Sequence, residues 1–126
     1  MILVDSTVYI DWLRSRVDPS ARLGDALRRN EAVTCGIIRA EVLRGIVSPP
    51  AKERMAMLFT LMQEVALDGD LWTDTAEMAW SLGRQGIVLP LTDIAIAACS
   101  RRVGATLITT DRHFGMIPGL RIRASI

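Results

Sequence analysis

Four acidic residues stand where a carboxylate could bind a ligand. Asp5 directly follows the apolar run Ile2 to Val4, and Asp111 comes two residues after the apolar run 105–109. Both runs predict buried strands, so both carboxylates are expected at the carboxyl edge of a sheet, where α/β folds bind ligands. Asp93 is expected at the start of a helix, where exposed N–H groups favour negative charge. The alternative for Asp93 is an ordinary N-cap.

Glu41 is the fourth acid, and its helical position is unusual for a charge. It lies three residues after Ile38 and four before Gly45, in the stripe that should pack inward. A carboxylate on that face is costly unless it is paired or bound to a metal. The alternative is an ion pair with Arg39 or Arg44, although both are expected on other faces of the helix.

Four converging carboxylates would repel one another, and a hard divalent cation would resolve that conflict. Oxygen ligands favour Mg²⁺ or Mn²⁺ over Zn²⁺. Cys35 and Cys99 form neither a metal-binding pattern nor a disulfide framework. His113 is the only histidine, and we expect it on a loop surface.

Short apolar runs that alternate with helical patterns must position these acids. They predict an α/β fold with a short, mainly parallel central sheet flanked by helices. The predicted strands are 2–4, 32–34, 65–67, 105–109 and 120–123. The predicted helices are 6–14, 20–29, 37–46, 51–64, a segment capped by Asp70, and one that runs from Thr92 or Asp93 to Val103.

The composition fits one globular domain over residues 1–126. Half of the residues are hydrophobic and 23% are charged, which excludes a disordered chain. No apolar run approaches the roughly 20 residues of a membrane span, and Asp5 interrupts the first one, so we expect neither a membrane segment nor a signal peptide. The expected location is the cytoplasm.

Arginine dominates the basic residues of the chain. Lys52 is the only lysine among 15 basic residues, and the net charge is +1. Outside the four acids, the charge balance becomes 15 basic against 10 acidic residues. Arginine suits phosphate recognition because its planar fork binds oxygens in pairs. A genomic bias toward Arg codons explains the same count equally well.

Four segments around these acids resemble the PIN-domain family, and within it the VapC toxins of prokaryotic toxin–antitoxin pairs. "MILVDSTVYIDWL" is similar to the family's opening strand and contains Asp5. "AEVLRG" is similar to its glutamate motif, and "GIVLPLTDIAIAA" to its central aspartate motif. "GATLITTDRHFGMIPGLRI" is similar to its closing segment. The resemblance spans almost the whole chain in order. One departure is Ile38, where family members often have Ser or Thr.

The resemblance implies a metal-dependent endoribonuclease. Asp5, Glu41, Asp93 and Asp111 would hold one or two Mg²⁺ or Mn²⁺ ions, and these ions would activate water for an in-line displacement at phosphate. Ser6 and Thr109 would orient the ligands or bound water. The products would carry a 5′-phosphate and a 3′-hydroxyl. A catalytically silent PIN-like scaffold that binds RNA or protein is the alternative.

The resemblance also implies an RNA substrate and a VapB-like antitoxin. Structured RNA, such as a transfer RNA or ribosomal RNA loop, is expected because unpaired bases can splay out. Arg112 and Arg14 are the candidate RNA contacts. The candidate residues of an apolar antitoxin groove are Trp12, Met55 and Phe59, although core packing explains such residues equally well. The family resemblance further implies a homodimer, for which Trp72 or Trp80 could supply the interface.

Three rival classes meet specific obstacles in the sequence. A receiver domain needs an N-terminal acidic pair and a late lysine, and neither is present. An Asp-x-Asp phosphatase fails because Thr7 occupies the second position. A nucleotide-binding fold fails because no glycine-rich loop follows the first strand.

Overall fold

Five strands form one parallel sheet in the computed structural model, which describes all 126 residues. The strand order is β3-β2-β1-β4-β5, and every pairing is parallel. The expectation of a mainly parallel sheet is therefore confirmed. The strands are β1 (Ile2–Val4), β2 (Ala32–Cys35), β3 (Gln63–Val65), β4 (Thr106–Ile108) and β5 (Ile122–Arg123).

Six helices flank this sheet and complete a single α/β domain. A short 3₁₀ helix, Arg112–Met116, follows β4. None of the helices combines the length and the apolar character needed to span a membrane. The α-helices are α1 (Ser6–Arg14), α2 (Pro19–Arg28), α3 (Gly36–Arg44), α4 (Pro49–Thr60), α5 (Gly69–Arg84) and α6 (Leu91–Val103).

Local chemistry sets the helix boundaries. The Asp18 carboxylate accepts a hydrogen bond from the Ser20 N–H at the start of α2, with Pro19 in the first turn. The Asp68 carboxylate caps α5 through the Leu71 N–H at 2.9 Å. The expected cap at Asp70 is therefore wrong by two residues. Gly104 ends α6 in the left-handed conformation at φ 66°, which an L side chain rarely adopts.

Two predicted helix boundaries, the end of α4 and the start of α6, differ from those in the structure. Helix α4 ends at Thr60, and Glu64 lies in β3 rather than in the helix. The apolar spacing continued past the helix because Met62 is buried in the turn that follows it. Helix α6 begins at Leu91, so Asp93 is its third residue rather than its cap.

The core lies on both faces of β1 and β4. Leu3 and Leu107 are fully buried, and α6 buries seven consecutive residues, from Ile94 to Ser100. A helix that is buried all round belongs in the interior of a domain. Helix α6 contacts α5 and α3, and α3 in turn contacts α1. Helix α3 therefore packs against both α1 and α6.

The strand order reverses direction between β1 and β4. From β1 the chain builds outward to β2 and β3, and it then returns to place β4 and β5 on the other side. Connections leave such a switch point in opposite directions and open a crevice at the carboxyl ends of the strands. Asp5 directly follows β1, and Asp111 follows β4 by three residues.

Candidate metal centre

Asp5 lies at the switch point, where it is 3% exposed. It is the N-cap residue of α1, yet its carboxylate makes no capping hydrogen bond. Two hydroxyls bind its Oδ2 atom instead. The Thr7 hydroxyl donates to Oδ2 at 2.7 Å, and the Thr109 hydroxyl donates to the same atom at 2.9 Å. The Oδ1 atom accepts no hydrogen bond from the protein, which leaves it available to a ligand.

Asp111 is tied to Asp5 through Thr109. The Asp111 N–H donates to the Thr109 hydroxyl at 3.0 Å, so this hydroxyl joins the ends of β1 and β4. The Asp111 Oδ1 atom accepts from the backbone N–H of His113 at 2.9 Å, and the His113 Nδ1 atom lies 3.1 Å from it. Ser6 is buried, but its hydroxyl makes no hydrogen bond to any of the four carboxylates.

Glu41 lies on the inward face of α3, as its spacing predicts. Its neighbours Ile38 and Val42 are buried, and its Oε1 atom is buried without a hydrogen-bond partner. Burial raises the pKa of Glu41, and the nearby carboxylates of Asp5 and Asp93 raise it further. An uncompensated buried acceptor of this kind is costly, so the position favours a bound ligand.

The expected alternatives for Glu41 are absent from the structure. The Arg39 guanidinium pairs with Glu64 on β3 and not with Glu41. Arg44 is exposed and forms no ion pair, although its charge opposes the rise in the pKa of Glu41. The apolar side chain of Ile38, three residues before Glu41, offers no hydrogen-bond donor to the Oε1 atom.

Asp93 sits in the first turn of α6, where Pro90 is the N-cap residue. Its carboxylate is half-buried and accepts no hydrogen bond, so it does not act as a cap. Burial raises the pKa of Asp93, and the carboxylates of Asp111 and Asp5 raise it further, whereas His113 lowers it. Asp5 and Asp93 act on Glu41, and Asp111 and Asp5 act on Asp93, so the four acids form one electrostatic cluster.

This cluster has little positive charge of its own. No Arg or Lys nitrogen lies within 4 Å of any of the four carboxylates, and the exposed His113 is the only basic partner. A cation would satisfy the Glu41 oxygen and relieve the repulsion, so the donor set fits a divalent ion. As they stand, no three His, Cys, Asp or Glu side chains are grouped closely enough to hold one ion. Mg²⁺ commonly keeps several waters and binds through one or two carboxylates.

The two candidate RNA contacts lie at different distances from the four acids. Arg112 is exposed and directly follows Asp111. Arg14 is exposed at the far end of α1, which has nine residues and begins beside Asp5. At 1.5 Å of rise per residue, α1 is roughly 13 Å long. Arg112 therefore stands beside the acids, and Arg14 stands one helix length away.

The three candidate antitoxin residues do not share one groove. Met55 lines a cavity of about 350 Å³ between α1, α2 and α4, with Arg16 and Arg54 among its polar residues. Trp12 lines a different cavity, of about 340 Å³, beside Arg22 and the C-terminal residues 124–126. Phe59 is 3% exposed and packs edge-to-face on Tyr9, as Trp12 does from another side.

Sequence reasoning missed Thr7, the residue that binds Asp5 most closely. The family resemblance points to Ser6, but the hydroxyl that contacts the Asp5 carboxylate belongs to Thr7. The signal that could have identified Thr7 is helix geometry, because the second residue of a helix lies near the N-cap side chain.

The fold and the acidic switch point define a PIN domain. The family model of the PIN domain matches residues 2–120, and the chain belongs to that family. Nuclease activity is the function that membership indicates, and PIN-domain nucleases generally use divalent metal ions. No curated protein is significantly similar to the chain in sequence.

Solved structures of toxin–antitoxin complexes contain chains with the same fold. One is VapBC2 from Rickettsia felis bound to a promoter DNA fragment, with a TM-score of 0.80, 18% identity and 98% of both chains covered. DNA-bound VapBC from Salmonella typhimurium gives a TM-score of 0.79 at 20% identity, covering 97% of this chain and 96% of that one. VapBC-1 from nontypeable Haemophilus influenzae gives 0.75 at 20% identity, covering 98% and 97%.

Proposed function

We propose that this protein is the toxin of a VapBC-type pair and a Mg²⁺- or Mn²⁺-dependent endoribonuclease. The observation that carries the proposal is the cluster of Asp5, Glu41, Asp93 and Asp111 at the switch point of a PIN fold. The cluster lacks a neutralising side chain, and one Glu41 oxygen is buried without a partner. Membership of the PIN family and the shared fold of VapBC chains support the same function.

Each residue of the site has a distinct task in this proposal. The four carboxylates would hold one or two divalent ions, and the Thr109 hydroxyl keeps Asp5 and Asp111 in register. When bound, the metal supplies an activated water and stabilises the charge that develops on the phosphate. Ser6 is proposed to contact bound water, since it makes no hydrogen bond to the acids. Cleavage would leave a 5′-phosphate and a 3′-hydroxyl.

The substrate in this proposal is structured RNA, cut in a transfer RNA or ribosomal RNA loop. Arg112 would bind a phosphate next to the scissile bond, because it is exposed beside Asp111. Arg14 would contact the RNA about one helix length away along α1. Unpaired loops suit such a site because their bases can splay out, whereas those of a duplex are stacked and paired.

The proposed partner is a VapB-like antitoxin that binds the two cavities next to α1. Met55 would contact it in the cavity between α1, α2 and α4, whose arginines favour an acidic segment. Trp12 would contact it in the neighbouring cavity. Phe59 would contribute indirectly, because it packs against Tyr9 and so supports the surface of α1.

We also propose a cytoplasmic homodimer. Trp72 and Trp80 are exposed on α5 at 44% and 61%, on the same side of the helix and about 12 Å apart along its axis. The Arg84 guanidinium lies 5.3 Å from the Trp80 ring centroid. Large exposed aromatic side chains are typical of association surfaces.

The test is an RNA cleavage assay with Mg²⁺ or Mn²⁺, with EDTA as the metal-free condition. Asp5→Asn should abolish cleavage of total cellular RNA without loss of the fold. Asp11→Asn, on the exposed side of the same helix, is the matched control and should cleave as the wild type does. Mapping the product ends would identify the RNA and the bond. Equal activity of Asp5→Asn and wild type would refute the catalytic assignment.

One observation favours the alternative of a catalytically silent scaffold. The acids are not grouped closely enough, as they stand, for three of them to hold one ion. A folded, antitoxin-free protein that binds RNA but cuts none of it in Mn²⁺ would support the scaffold. Metal-dependent cuts that Asp5→Asn removes would exclude it.

A further inference from the structure

We propose that Thr7 is a positioning residue that orients Asp5 so that a single carboxylate oxygen, Oδ1, binds the metal ion. This inference rests on the proposed function, because it assigns a geometry to one of the proposed ligands. Thr7 does not touch the substrate or the ion in this proposal. It acts only through the Asp5 carboxylate.

The first support is the behaviour of Asp5 at the helix N-terminus. Asp is a preferred N-cap residue, and its carboxylate normally accepts a hydrogen bond from the second or third N–H of the helix. Asp5 has the extended backbone of an N-cap, with φ −69° and ψ 152°, but makes no such bond. The Thr7 hydroxyl, at the second helical position, donates to Oδ2 instead. The carboxylate is thereby held away from its usual capping position.

The second support is that two hydroxyls converge on one oxygen. Thr7 donates to Oδ2 of Asp5 at 2.7 Å, and Thr109 donates to it at 2.9 Å. One hydroxyl comes from α1 and the other from the end of β4, so the carboxylate is fixed from two sides. Two donors match the two lone pairs with which a carboxylate oxygen accepts hydrogen bonds. Oδ1 accepts no protein hydrogen bond and is not sealed in the interior as an unsatisfied atom.

The consequence is that Asp5 binds as a monodentate ligand whose rotation is already restricted. Partners that orient a ligand typically change metal affinity or activity by about 10- to 100-fold when they are removed. Loss of the Thr7 hydroxyl should therefore weaken the affinity for the ion, whereas a hydroxyl at the same position on a smaller side chain should restore it. Without the Thr7 hydroxyl, Thr109 alone would donate a hydrogen bond to Oδ2.

The test measures Mn²⁺ binding directly, by titration calorimetry and by the electron paramagnetic resonance signal of the free ion. Thr7→Val keeps the shape and removes the hydroxyl, and we expect its Kd for Mn²⁺ to rise at least ~10-fold. Thr7→Ser keeps the hydroxyl and should stay within about twofold of wild type. Thr75→Val, which removes a helical hydroxyl bonded to the Leu71 carbonyl, is the matched control and should bind as wild type does.

A second readout separates positioning from a general structural defect. If Thr7 acts on the metal site, the cleavage lost in Thr7→Val at low Mn²⁺ should return at saturating Mn²⁺. Unchanged Mn²⁺ affinity in Thr7→Val would overturn the inference, as would equal losses in Thr7→Val and Thr7→Ser. Failure of the wild type itself to bind Mn²⁺ is a different result, since it removes the proposed function and the inference with it.

Discussion

A divalent ion should stabilise this protein as well as activate it. At a concentration 100 times its Kd, a ligand that binds only the folded state adds about 2.7 kcal/mol. An unfolding entropy of about 2.1 cal/mol/K per residue gives roughly 0.26 kcal/mol/K for the 126-residue chain. Saturation with Mn²⁺ should therefore raise Tm by about 10 °C. The assay is thermal unfolding followed by circular dichroism, with Mn²⁺ titrated into the metal-free protein.

Glu41→Gln is the informative change, because it removes one charge and keeps the shape. If the lost ligand weakens Kd about a hundredfold, the same Mn²⁺ concentration adds only about 0.4 kcal/mol, or 1–2 °C of Tm. Without metal, the substitution should have the opposite effect on stability at pH 7. The variant should then be more stable than wild type, since it lacks a carboxylate that burial and its acidic neighbours destabilise.

The pH dependence of this difference follows from the raised pKa of Glu41. A carboxyl group whose pKa is higher in the folded state holds its proton more tightly there, so its contribution to stability is lost as pH rises. The loss begins near the ordinary value of 4.5 and continues upward through the raised pKa. Wild type and Glu41→Gln should have equal metal-free stability below that range and diverge above it, with wild type the weaker.

The comparison between the two proteins is needed because other groups titrate in the same range. The pKa of Asp68 is lowered by its bond to the Leu71 N–H and by Arg102, so its contribution has the opposite sign. Asp68 is present in both proteins, so its contribution cancels in the difference between their stabilities. The reasoning is refuted if metal-free wild type is as stable as Glu41→Gln at pH 7, or if Mn²⁺ raises Tm equally in both.

Two further predictions concern the surface next to α1. Trp12→Ala should weaken binding of the cognate antitoxin, measured by calorimetry, more than it weakens RNA cleavage, and an unchanged Kd would show that Trp12 serves the core. Phe59→Ala should cost about 3–5 kcal/mol of stability because it empties a buried aromatic site against Tyr9, which corresponds to a fall in Tm of roughly 10–20 °C. A fall of less than about 3 °C would contradict the predicted cost of emptying this site.

The sequence predicted the parts of the fold that depend on local pattern. The bounds of β1 and α1 were read correctly because Asp5 separates an apolar run from a helical one. The end of α4 was missed because the apolar spacing of Met55, Leu58 and Phe59 continues to Met62 across the turn. Burial continues at Met62 although the backbone changes from helix to strand, and periodicity reports only burial.

Side-chain partners were harder to predict, because they depend on contacts between distant segments. Spacing placed Glu41 on the inward face of α3, and the structure agrees. Its lack of an arginine partner could not be read in advance, because Arg39 turns to Glu64 only once β3 lies beside β2. The same limit applies to Thr109, whose hydroxyl meets Asp5 across 104 residues of chain.

The hydrogen bonds at Asp5 relate the lower stability of the metal-free protein to its proposed binding of a metal ion. A capping carboxylate would stabilise α1, typically by about 1 kcal/mol. Asp5 forgoes that contribution, and its Oδ1 atom makes no bond, while Glu41 leaves a buried oxygen unpartnered. Both features destabilise the metal-free protein, and a cation would compensate for both. The wild type, which is proposed to cut RNA, should therefore show a larger Mn²⁺-induced rise in Tm than Asp5→Asn. The variant should lose the rise in Tm and the cleavage together.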